Sequence, residues 1–396
     1  LTVFHVLAAD PLPGRSDHLF IVQLDPYPMQ GYVPGEEPDD QLTRLDAETL
    51  LRDGRGDRQA LMTGGSVAVQ PEQGSLKPFY TDARFASAGF FTLFGAPFVA
   101  GGPWSAADDE AHARVAVVSR QFAQKVFGSA DAVGRTVRLG PADFRIAGVL
   151  DDWRPVPHFY DLNTGAFNDI EQVFLPFSTS RDFTFPRSGS INCWDEGVAE
   201  PTSLNANCTW IQYWVELGSA DKVRAYRDYL LDYSKRQNAA GRYQRPPNVR
   251  LRSLMEYLDF KGVIPEDVRL STWLAFGFLL VCLVNTVGLL LAKCLRRSPE
   301  IGVRRALGAS RRVIFVQFLV EAGVIGVAGG AVGLLLALLG LWGVRQNPDA
   351  YARLAALDLP MLATTFLLAV GASLIAGLLP AWRACQVTPA LQLKSQ

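Results

Sequence analysis

The sequence is poor in the residues and motifs that mark catalytic and metal-binding sites. It contains four histidines among 396 residues, and no two of them have the H-x-x-x-H spacing with which a helix binds zinc. No G-x-S-x-G motif occurs, so a hydrolase nucleophile is not indicated. We interpret His158 as a packing or surface residue rather than a metal ligand. The sequence therefore predicts a chain with no catalytic residues, no cofactor-binding residues and no metal ligands of its own.

A nucleotide-binding loop is missing as well. The segment 128–136 ends in Gly134-Arg135-Thr136 and has a superficial similarity to a phosphate-binding loop. Its spacing is wrong, the lysine of that motif is absent, and the segment lies between a predicted helix and a predicted strand rather than between a strand and a helix. We interpret the segment as a turn and expect that this chain does not bind ATP.

An excess of charge of either sign is lacking. The formal net charge of −1 does not favour binding to nucleic acid or to a membrane surface. The charged residues are unevenly distributed, however: they occur throughout residues 1–270, whereas the sequence from Trp273 onward consists of long apolar runs interrupted by one basic cluster. This contrast predicts a soluble domain over residues 1–270 and a transmembrane domain over residues 271–396.

Three apolar runs reach the roughly 20 residues that a helix needs to cross about 30 Å of hydrocarbon. They cover residues 273–292, 313–342 and 359–382. The second run contains one charged residue, Glu321, and the other two contain none. A buried helix of a soluble core is the alternative for any one run, but three runs in the last third of the chain favour membrane spans.

The basic residues between the spans predict their orientation, because positively charged loops stay in the cytoplasm. The loop 293–312 is rich in basic residues, whereas the loop between the second and third spans has two arginines accompanied by two aspartates. The loop 293–312 is therefore predicted to be cytoplasmic, and residues 1–270 lie outside the cytoplasm. The basic residues of the cytoplasmic loop are Lys293, Arg296, Arg297, Arg304, Arg305, Arg311 and Arg312.

A domain of this size outside the cytoplasm needs a segment that delivers it across the membrane. Residues 1–9 are largely apolar but too few to span a bilayer, and the sequence does not begin with methionine. We therefore expect a further span or signal before Leu1, which would bring the native protein to four spans.

Alternating and β-branched runs separated by helical ones predict an α+β fold for the soluble domain. The segment 151–208 is rich in Pro, Gly, Asn and Ser and has little periodicity, so we interpret it as long loops or an inserted subdomain. Residues 254–272 are expected to include a stalk helix that extends the first span outward, interrupted near Pro265. The predicted strands are 19–24, 115–119, 137–139, 144–150, 173–177 and 209–217, and the predicted helices are 42–52, 120–127 and 220–237.

Two of the five cysteines, Cys193 and Cys208, fall in the soluble domain on either side of a polar segment. An oxidising compartment would allow them to form a disulfide, and two free thiols are the alternative. The other three, Cys282, Cys294 and Cys385, lie in or beside the predicted spans, where buried thiols are ordinary.

The transmembrane domain contains one carboxylate at a depth where it needs a partner. Glu321 follows Arg312 by about nine residues, which is about 13 Å at 1.5 Å per residue. An ionised carboxylate at that depth costs on the order of a few kcal/mol unless it is paired. We expect an ion pair with the basic loop, or a contact with Gln317 or Asn285; a protonated or snorkelling side chain is the alternative.

The second span is also rich in glycine. Gly326 with Gly330, and Gly329 with Gly333, have the small-x-x-x-small spacing that lets helix backbones approach closely. The spacing predicts tight helix packing at these four residues, either within the chain or between two chains.

The cytoplasmic loop contains the run EIGVRRALGAS at residues 300–310. Further motifs follow it: FLVEA at 318–322, two glycines at 329–330, LPAWRA at 379–384 and PAL at 389–391. Together these motifs resemble the transmembrane domain of the FtsX/MacB family of ABC permeases. The run at 300–310 is the most specific of them.

Weaker motifs occur upstream in the order that the same family shows. They are FFTLFG at 90–95, GGPW at 101–104, VAVVS at 115–119, and VGRT at 133–136, continuing to Gly148 and Val149. These motifs are similar to the MacB-type periplasmic domain. The resemblance thus covers most of the chain, although the long segment 151–208 looks unlike the shorter family members.

The resemblance implies an architecture and a set of partners. It implies a periplasmic domain between the first and second of four spans, in a bacterial inner membrane, and a permease homodimer or heterodimer served by two ATPase subunits that bind ATP and Mg²⁺. ATP-driven closure would move the periplasmic domains through stalk helices, which is mechanotransmission. A periplasmic adaptor and an outer-membrane channel are further candidate partners, and no nucleic acid is expected.

The resemblance also implies that residues 300–309 form a short cytoplasmic helix that docks on the ATPase. A proline at its start, an acidic residue in its first turn and a glycine at its end support a compact amphipathic helix. The alternative, that the arginines bind anionic lipid, explains their charge but not the apolar pattern. The residues expected to couple to the ATPase are Glu300, Ile301, Val303, Arg304, Arg305, Leu307 and Gly308.

The predicted function is that of a non-catalytic permease subunit that exports peptides, antibiotics or related amphiphiles, with ATP hydrolysed by a separate subunit. Release of lipoproteins from the inner membrane and control of a cell-wall hydrolase are alternatives within the same fold. A membrane-anchored periplasmic enzyme would need catalytic residues that the sequence lacks. A binding-only receptor would not need the docking helix.

Overall fold

The computed structural model describes residues 10–71, 76–195, 197–263, 266–345 and 359–385. The chain divides into two compact units, a soluble unit that ends at Val263 and a membrane unit that contains the helices after it. Each unit is described by itself below. The expected interruption near Pro265, the terminal motif 389–391 and most of the loop between the second and third spans lie outside the described residues, as do residues 1–9.

The soluble unit is built on one mixed sheet. The strands are β1 (Leu19–Leu24), β2 (Leu42–Thr43), β3 (Arg58–Gln70), β4 (Phe79–Ala86), β5 (Phe98–Gly101), β6 (Val115–Ser119), β7 (Thr136–Leu139), β8 (Ala142–Leu150), β9 (Val173–Pro176), β10 (Arg187–Ser188), β11 (Asn192–Cys193), β12 (Cys208–Glu216) and β13 (Val249–Ser253). Nine of them follow one another in the order β13-β1-β12-β3-β4-β9-β6-β8-β5, and the four others pair beside them. The pairs β4/β9 and β6/β8 are parallel, and the others are antiparallel.

Both faces of this sheet are buried. In β1, Leu19 and Ile21 pack in one hydrophobic cluster, and Phe20 and Val22 pack in the other. Successive side chains of a strand point to opposite faces, so a strand that is apolar throughout contributes to two cores. The fold therefore has the layered arrangement expected of an α+β domain, and the predicted fold class is confirmed.

Short polar residues begin the helices of the soluble unit. Thr43, Ser119, Ser219 and Ser253 each accept a hydrogen bond from a backbone N–H in the first turn of the helix that follows. Such a cap stabilises a helix by about 1 kcal/mol. The helices are α1 (Arg44–Asp53), α2 (Phe90–Phe94), α3 (Ala106–Glu110), α4 (Arg120–Phe127), α5 (Phe177–Asp182), α6 (Ala220–Ala239) and α7 (Leu254–Phe260).

The predicted strands and helices are all present in the soluble unit, most of them within two residues of the expected bounds. One boundary was wrong in an informative way: residues 42–43 form β2 rather than the start of α1, because Thr43 caps that helix. The strands β3, β4, β5 and β13, and the two-residue strands β2, β10 and β11, were not predicted. Their polar residues, such as Arg58 and Asp82, and the glycine pair of β3 obscure the alternation that marks a strand.

The segment 151–208 is not an inserted subdomain. It contains long loops, as expected, but it also supplies β9, which lies between β4 and β6 in the middle of the sheet. Its aromatic residues Phe159, Tyr160 and Phe174 are buried in one of the two hydrophobic clusters. The segment is therefore an integral part of the domain core.

The stalk prediction for residues 254–272 needs a correction. Residues 254–260 form α7, whose Leu254, Tyr257 and Leu258 are buried against the sheet of the soluble unit. A new helix begins at Glu266, seven residues before Trp273, so only that helix extends the first span.

The membrane unit consists of four described helices. Three of them contain segments long and apolar enough to cross a membrane, at Trp273–Arg296, Arg311–Gly340 and Leu362–Arg383. A short fourth helix lies between the first two. The helices are α8 (Glu266–Arg296), α9 (Ser298–Ala306), α10 (Arg311–Arg345) and α11 (Leu359–Cys385).

Candidate functional site

The docking helix predicted at residues 300–309 corresponds to α9, which is nine residues long and lies between two membrane helices; it begins two residues earlier and ends three residues earlier than predicted. Pro299 occupies its first turn, where a missing backbone N–H costs nothing, and Glu300 places a negative charge near the positive end of the helix dipole. The helix ends before Gly308, whose φ of 101° is a left-handed conformation that favours glycine. The sequence therefore forms a helix of a little over two turns with a sharp stop.

One face of α9 is fixed to the membrane helices. Ile301, which is 5% exposed, packs in a hydrophobic cluster with Cys294 of α8, Ile314 and Phe318 of α10, and Ala381 of α11. The cluster thus joins α9 to three membrane helices.

The opposite face of α9 is open. Leu307, just after the helix, is 84% exposed and Val303 is 58% exposed. Between them, Arg304 donates to Glu300 at 2.5 Å and to the Gln317 side chain at 3.1 Å, so its guanidinium is held in place beside the apolar residues. This exposed surface, defined here as the α9 face, is formed by Glu300, Val303, Arg304 and Leu307.

The membrane carboxylate Glu321 is paired with the basic loop, which is one of the alternatives that the sequence left open. Lys293 donates a hydrogen bond to Glu321 Oε1, and Arg297 Nη1 lies 3.6 Å from the same oxygen. Gln317 instead accepts from Arg304. The ion pair ties the end of α8 to α10 next to α9.

Two glycines of α10 allow α11 to approach closely. A Cβ atom on Gly326 would lie 2.8 Å from the Cβ of Ser373, and one on Gly330 would lie 3.1 Å from the ring of Phe366. Gly329 and Gly333 have no heavy atom of the described residues within 4 Å of such a position. The first glycine pair therefore serves packing within the chain, while the second pair lies on an open part of α10.

Cys193 and Cys208 form a disulfide in the soluble unit. They are directly opposite each other in the antiparallel pair β11/β12, so the bond closes the connection between these two strands. We expect mass spectrometry of non-reduced peptides from the purified protein to show the fragment with Cys193 joined to the fragment with Cys208. Recovery of both cysteines as alkylated thiols without reductant would contradict the disulfide.

A buried ion cluster in the soluble unit was missed by sequence reasoning. Arg84, in β4, is 0% exposed, and its Nη1 donates to Asp161 Oδ2 at 2.7 Å while its Nε donates to Glu171 Oε1 at 2.9 Å. Tyr160 donates to Glu171 Oε2 at 2.8 Å, and His158 Nε2 lies 3.5 Å from Glu171 Oε1. His158 is therefore a packing residue. The only sequence signal for the cluster was one arginine within an apolar strand end, Ala83–Ala86.

Strong charges inside the protein shift the ionisation of this cluster. Burial alone would lower the pKa of Arg84, but the carboxylates of Glu171 and Asp161 hold it above its usual range. Burial alone would raise the pKa of Glu171, but the guanidinium holds it well below its usual range. Each charge is therefore stable only in the presence of the other. Across the part of the chain that the structure describes, no three His, Cys, Asp or Glu side chains are grouped as metal ligands.

The fold and the site together define a membrane protein in which an α+β domain is followed by apolar helices with a short, partly exposed helix between the first two. Residues 6–232 match the family described as the MacB-like periplasmic core domain, and residues 273–389 match the FtsX-like permease C-terminal domain. The chain belongs to this family and is an ABC-transporter permease of the MacB type.

Two curated relatives that match this chain are named as export proteins. The chain is 25% identical over 341 residues to the Pyoverdine export ATP-binding/permease protein PvdT of Pseudomonas entomophila, which covers 84% of this chain and 45% of that protein. It is 24% identical over 339 residues to the Macrolide export ATP-binding/permease protein MacB of Azoarcus sp., covering 84% and 46%. The chain thus spans about half the length of the curated relatives it matches.

A solved structure with some similarity to this chain is the periplasmic region of MacB from Actinobacillus actinomycetemcomitans. It is 13% identical, has a TM-score of 0.39, and covers 61% of this chain and 92% of that one.

Proposed function

We propose that this chain is the permease subunit of an ABC export system in the bacterial inner membrane, and that the α9 face docks on a partner ATPase. The α9 face carries the proposal. A leucine that is 84% exposed and a valine that is 58% exposed, set beside an ordered arginine, form the kind of small mixed surface that a protein partner buries. Peptides, antibiotics and related amphiphiles are the proposed cargo.

The contacts of α9 supply a route for mechanical coupling. Its buried Ile301 belongs to a hydrophobic cluster with residues of three membrane helices, and the adjacent ion pair of Lys293 with Glu321 links α8 to α10. Because packed interiors transmit displacement rather than absorb it, a push on the α9 face would shift these helices together. The residues expected from sequence to couple to the ATPase thus divide into an anchored side and a docking side.

ATP hydrolysis is assigned to a separate polypeptide. Two relatives are named as ATP-binding/permease proteins, and this chain matches less than half of each. Its sequence contains no G-x-x-x-x-G-K-[ST] loop to hold the phosphates of ATP. We propose that the partner binds the ATP and Mg²⁺ of the working complex and that the permease supplies the moving parts.

Purification of the tagged chain from its own membranes tests this proposal. We expect a second polypeptide that carries a phosphate-binding loop to co-purify, and the complex to hydrolyse Mg·ATP. A preparation that contains no nucleotide-binding protein and no ATPase activity would contradict the export proposal. It would favour a receptor role instead.

Orientation in the membrane provides an independent test. With single cysteines placed at Ser298 and at the exposed Asn205, in a background without other reactive thiols, an impermeant maleimide should label position 205 in spheroplasts. Position 298 should react only after the membrane is opened, because the positively charged loop stays inside. Labelling of both positions in intact spheroplasts would overturn the topology.

A further inference from the structure

Two arginines of the soluble unit, Arg181 and Arg187, line one pocket of about 240 Å³. Four of its ten lining residues are aromatic: Phe85, Phe177, Phe185 and Trp210. A second cavity of about 400 Å³ shares Phe177 and Arg181 with the first, so the two are adjacent. We name the smaller cavity the arginine pocket.

The backbone between the two arginines is arranged in an uncommon way. Thr184, which also lines the pocket, has a φ of 49°, a left-handed conformation that is strained for a β-branched residue. After this residue the chain turns into β10, where Arg187 pairs with Gly65 of β3. A Cβ atom on Gly65 would lie 2.2 Å from the ring of Phe85 and 2.6 Å from the carbonyl oxygen of Pro186, so only glycine fits. The position of Arg187 thus depends on a strained backbone conformation at Thr184 and on a glycine at residue 65.

Neither arginine of the pocket forms an ion pair with a carboxylate of the described residues. Within the described residues, no carboxylate oxygen lies within 4.0 Å of the guanidinium of Arg181 or Arg187. Burial, and next the charge of Arg181, lower the pKa of Arg187; burial, and next the charge of Arg44, lower the pKa of Arg181. Carboxylates farther away, on Glu48, Asp182 and Glu200, offset this only partly for Arg181. The two guanidinium groups therefore carry a desolvation cost that a bound anion would offset.

The aromatic wall contains a second unsatisfied group. Trp210 is 1% exposed, and its Nε1 has no hydrogen-bond partner among the described residues. The guanidinium carbon of Arg187 lies 4.3 Å from the centre of the Trp210 ring, and Phe177 stacks on the same ring at 5.8 Å. The Trp210 ring, which lines the pocket, therefore holds the guanidinium of Arg187 at the pocket wall through a cation–π contact.

We propose that the arginine pocket binds an organic oxyanion, a carboxylate or a phosphate attached to a small aromatic or apolar group. The planar guanidinium fork matches the two oxygens of a carboxylate or phosphate, and the aromatic walls receive the apolar part. A cavity of this size accommodates about one ring, and a longer ligand would continue into the adjacent cavity. The proposal does not rest on the export function, because binding needs neither ATP nor transport.

Binding is tested with the purified chain in detergent and 4-fluorobenzoate as the probe, observed by ¹⁹F NMR. We expect saturable binding that phenyl phosphate displaces and that benzamide, the neutral analogue of similar shape, does not displace. Benzamide also controls for partition into the detergent. Equal displacement by benzamide would overturn an oxyanion site, as would the absence of saturable binding.

Substitutions locate the site. Arg187→Gln and Arg181→Gln should each weaken 4-fluorobenzoate binding by about tenfold or more, because each removes charged hydrogen bonds to the ligand. The matched control is Arg135→Gln, which removes an exposed arginine that lies 4.4 Å from the ring of Phe127 outside the pocket, and it should leave binding unchanged. If all three variants bind as the wild type does, the probe binds elsewhere and the proposal is wrong. The wild-type comparison of benzoate with benzamide does not depend on the folding of any variant.

Discussion

Replacing Arg84 with methionine is expected to destabilise the protein by about 3–5 kcal/mol, the usual cost of removing one partner from a buried ion pair. The substitution would leave two carboxylates, Asp161 and Glu171, in a site where Arg84 is completely buried. The Asp161 side chain is 0% exposed and that of Glu171 is 6% exposed, so both carboxylates would lose the guanidinium that compensates for their burial. Urea unfolding of the detergent-solubilised chain, followed by the fluorescence of buried tryptophans such as Trp214, measures the change.

A surface ion pair provides the control. Arg138 and Asp143 lie 3.3 Å apart with about half of each side chain exposed, so Arg138→Met should change the free energy of unfolding by less than about 1 kcal/mol. If Arg84→Met also lowers the free energy of unfolding by less than about 1 kcal/mol, the cluster is solvated or uncharged, which would contradict the buried ion pairs described above.

The pH dependence of stability follows from the same cluster. The pKa of Glu171 is lower in the folded protein than its ordinary value of 4.5, so the stabilisation from its charged form is present above pH 4.5 and is lost as the pH falls below it. In Arg84→Met, burial without the guanidinium would raise the pKa of Glu171 instead. The variant should therefore approach wild-type stability as the solution is acidified from neutral pH. A stability difference that stays constant between pH 7 and pH 4 would contradict this account.

The sequence predicted the outline of the fold because its strongest patterns are local. The spans were recognised from apolar length, and β1 and β6 from short apolar runs rich in β-branched residues. Strand β3 could not be found in that way: its Gly64-Gly65 pair lowers strand propensity, and the reason for those glycines is the approach of β10 and Phe85, which no local pattern records.

In the candidate site too, local sequence patterns could be recognised, whereas contacts between distant residues could not. The α9 helix carries its start, its stop and its amphipathic pattern within eleven residues, so its residues could be named from sequence. The partners of Arg84 lie 77 and 87 positions away, and those of Glu321 lie 24 and 28 positions away. The sequence showed that Glu321 needed a partner and offered several. Only the packing of the helices selected Lys293 and Arg297.

Replacing Leu307 with aspartate is expected to eliminate binding of the partner ATPase. The side chain is 84% exposed in this chain, so the substitution should not disturb folding, but docking would bury it. Loss of the apolar contact costs about 1.5–3 kcal/mol, and burial of an unpaired carboxylate adds to this, so affinity should fall by more than about a hundredfold. Co-purification of the ATPase with the tagged chain provides the measurement. Val33→Asp, at an exposed apolar residue of the soluble unit, is the matched control and should leave co-purification unchanged.

Charge reversal distinguishes docking from lipid anchoring, the alternative role of the α9 arginines. The double substitution Arg304→Glu and Arg305→Glu should also prevent co-purification, and it should do so in a detergent that contains no anionic lipid. If the arginines only bound anionic headgroups, the complex would survive in detergent and the loss would appear only in membranes. An ATPase that remains bound to both the Leu307→Asp variant and the double variant would exclude the α9 face as the docking surface. In that case the exposed Leu307 and the hydrogen-bonded Arg304 would belong to a surface that binds a different partner.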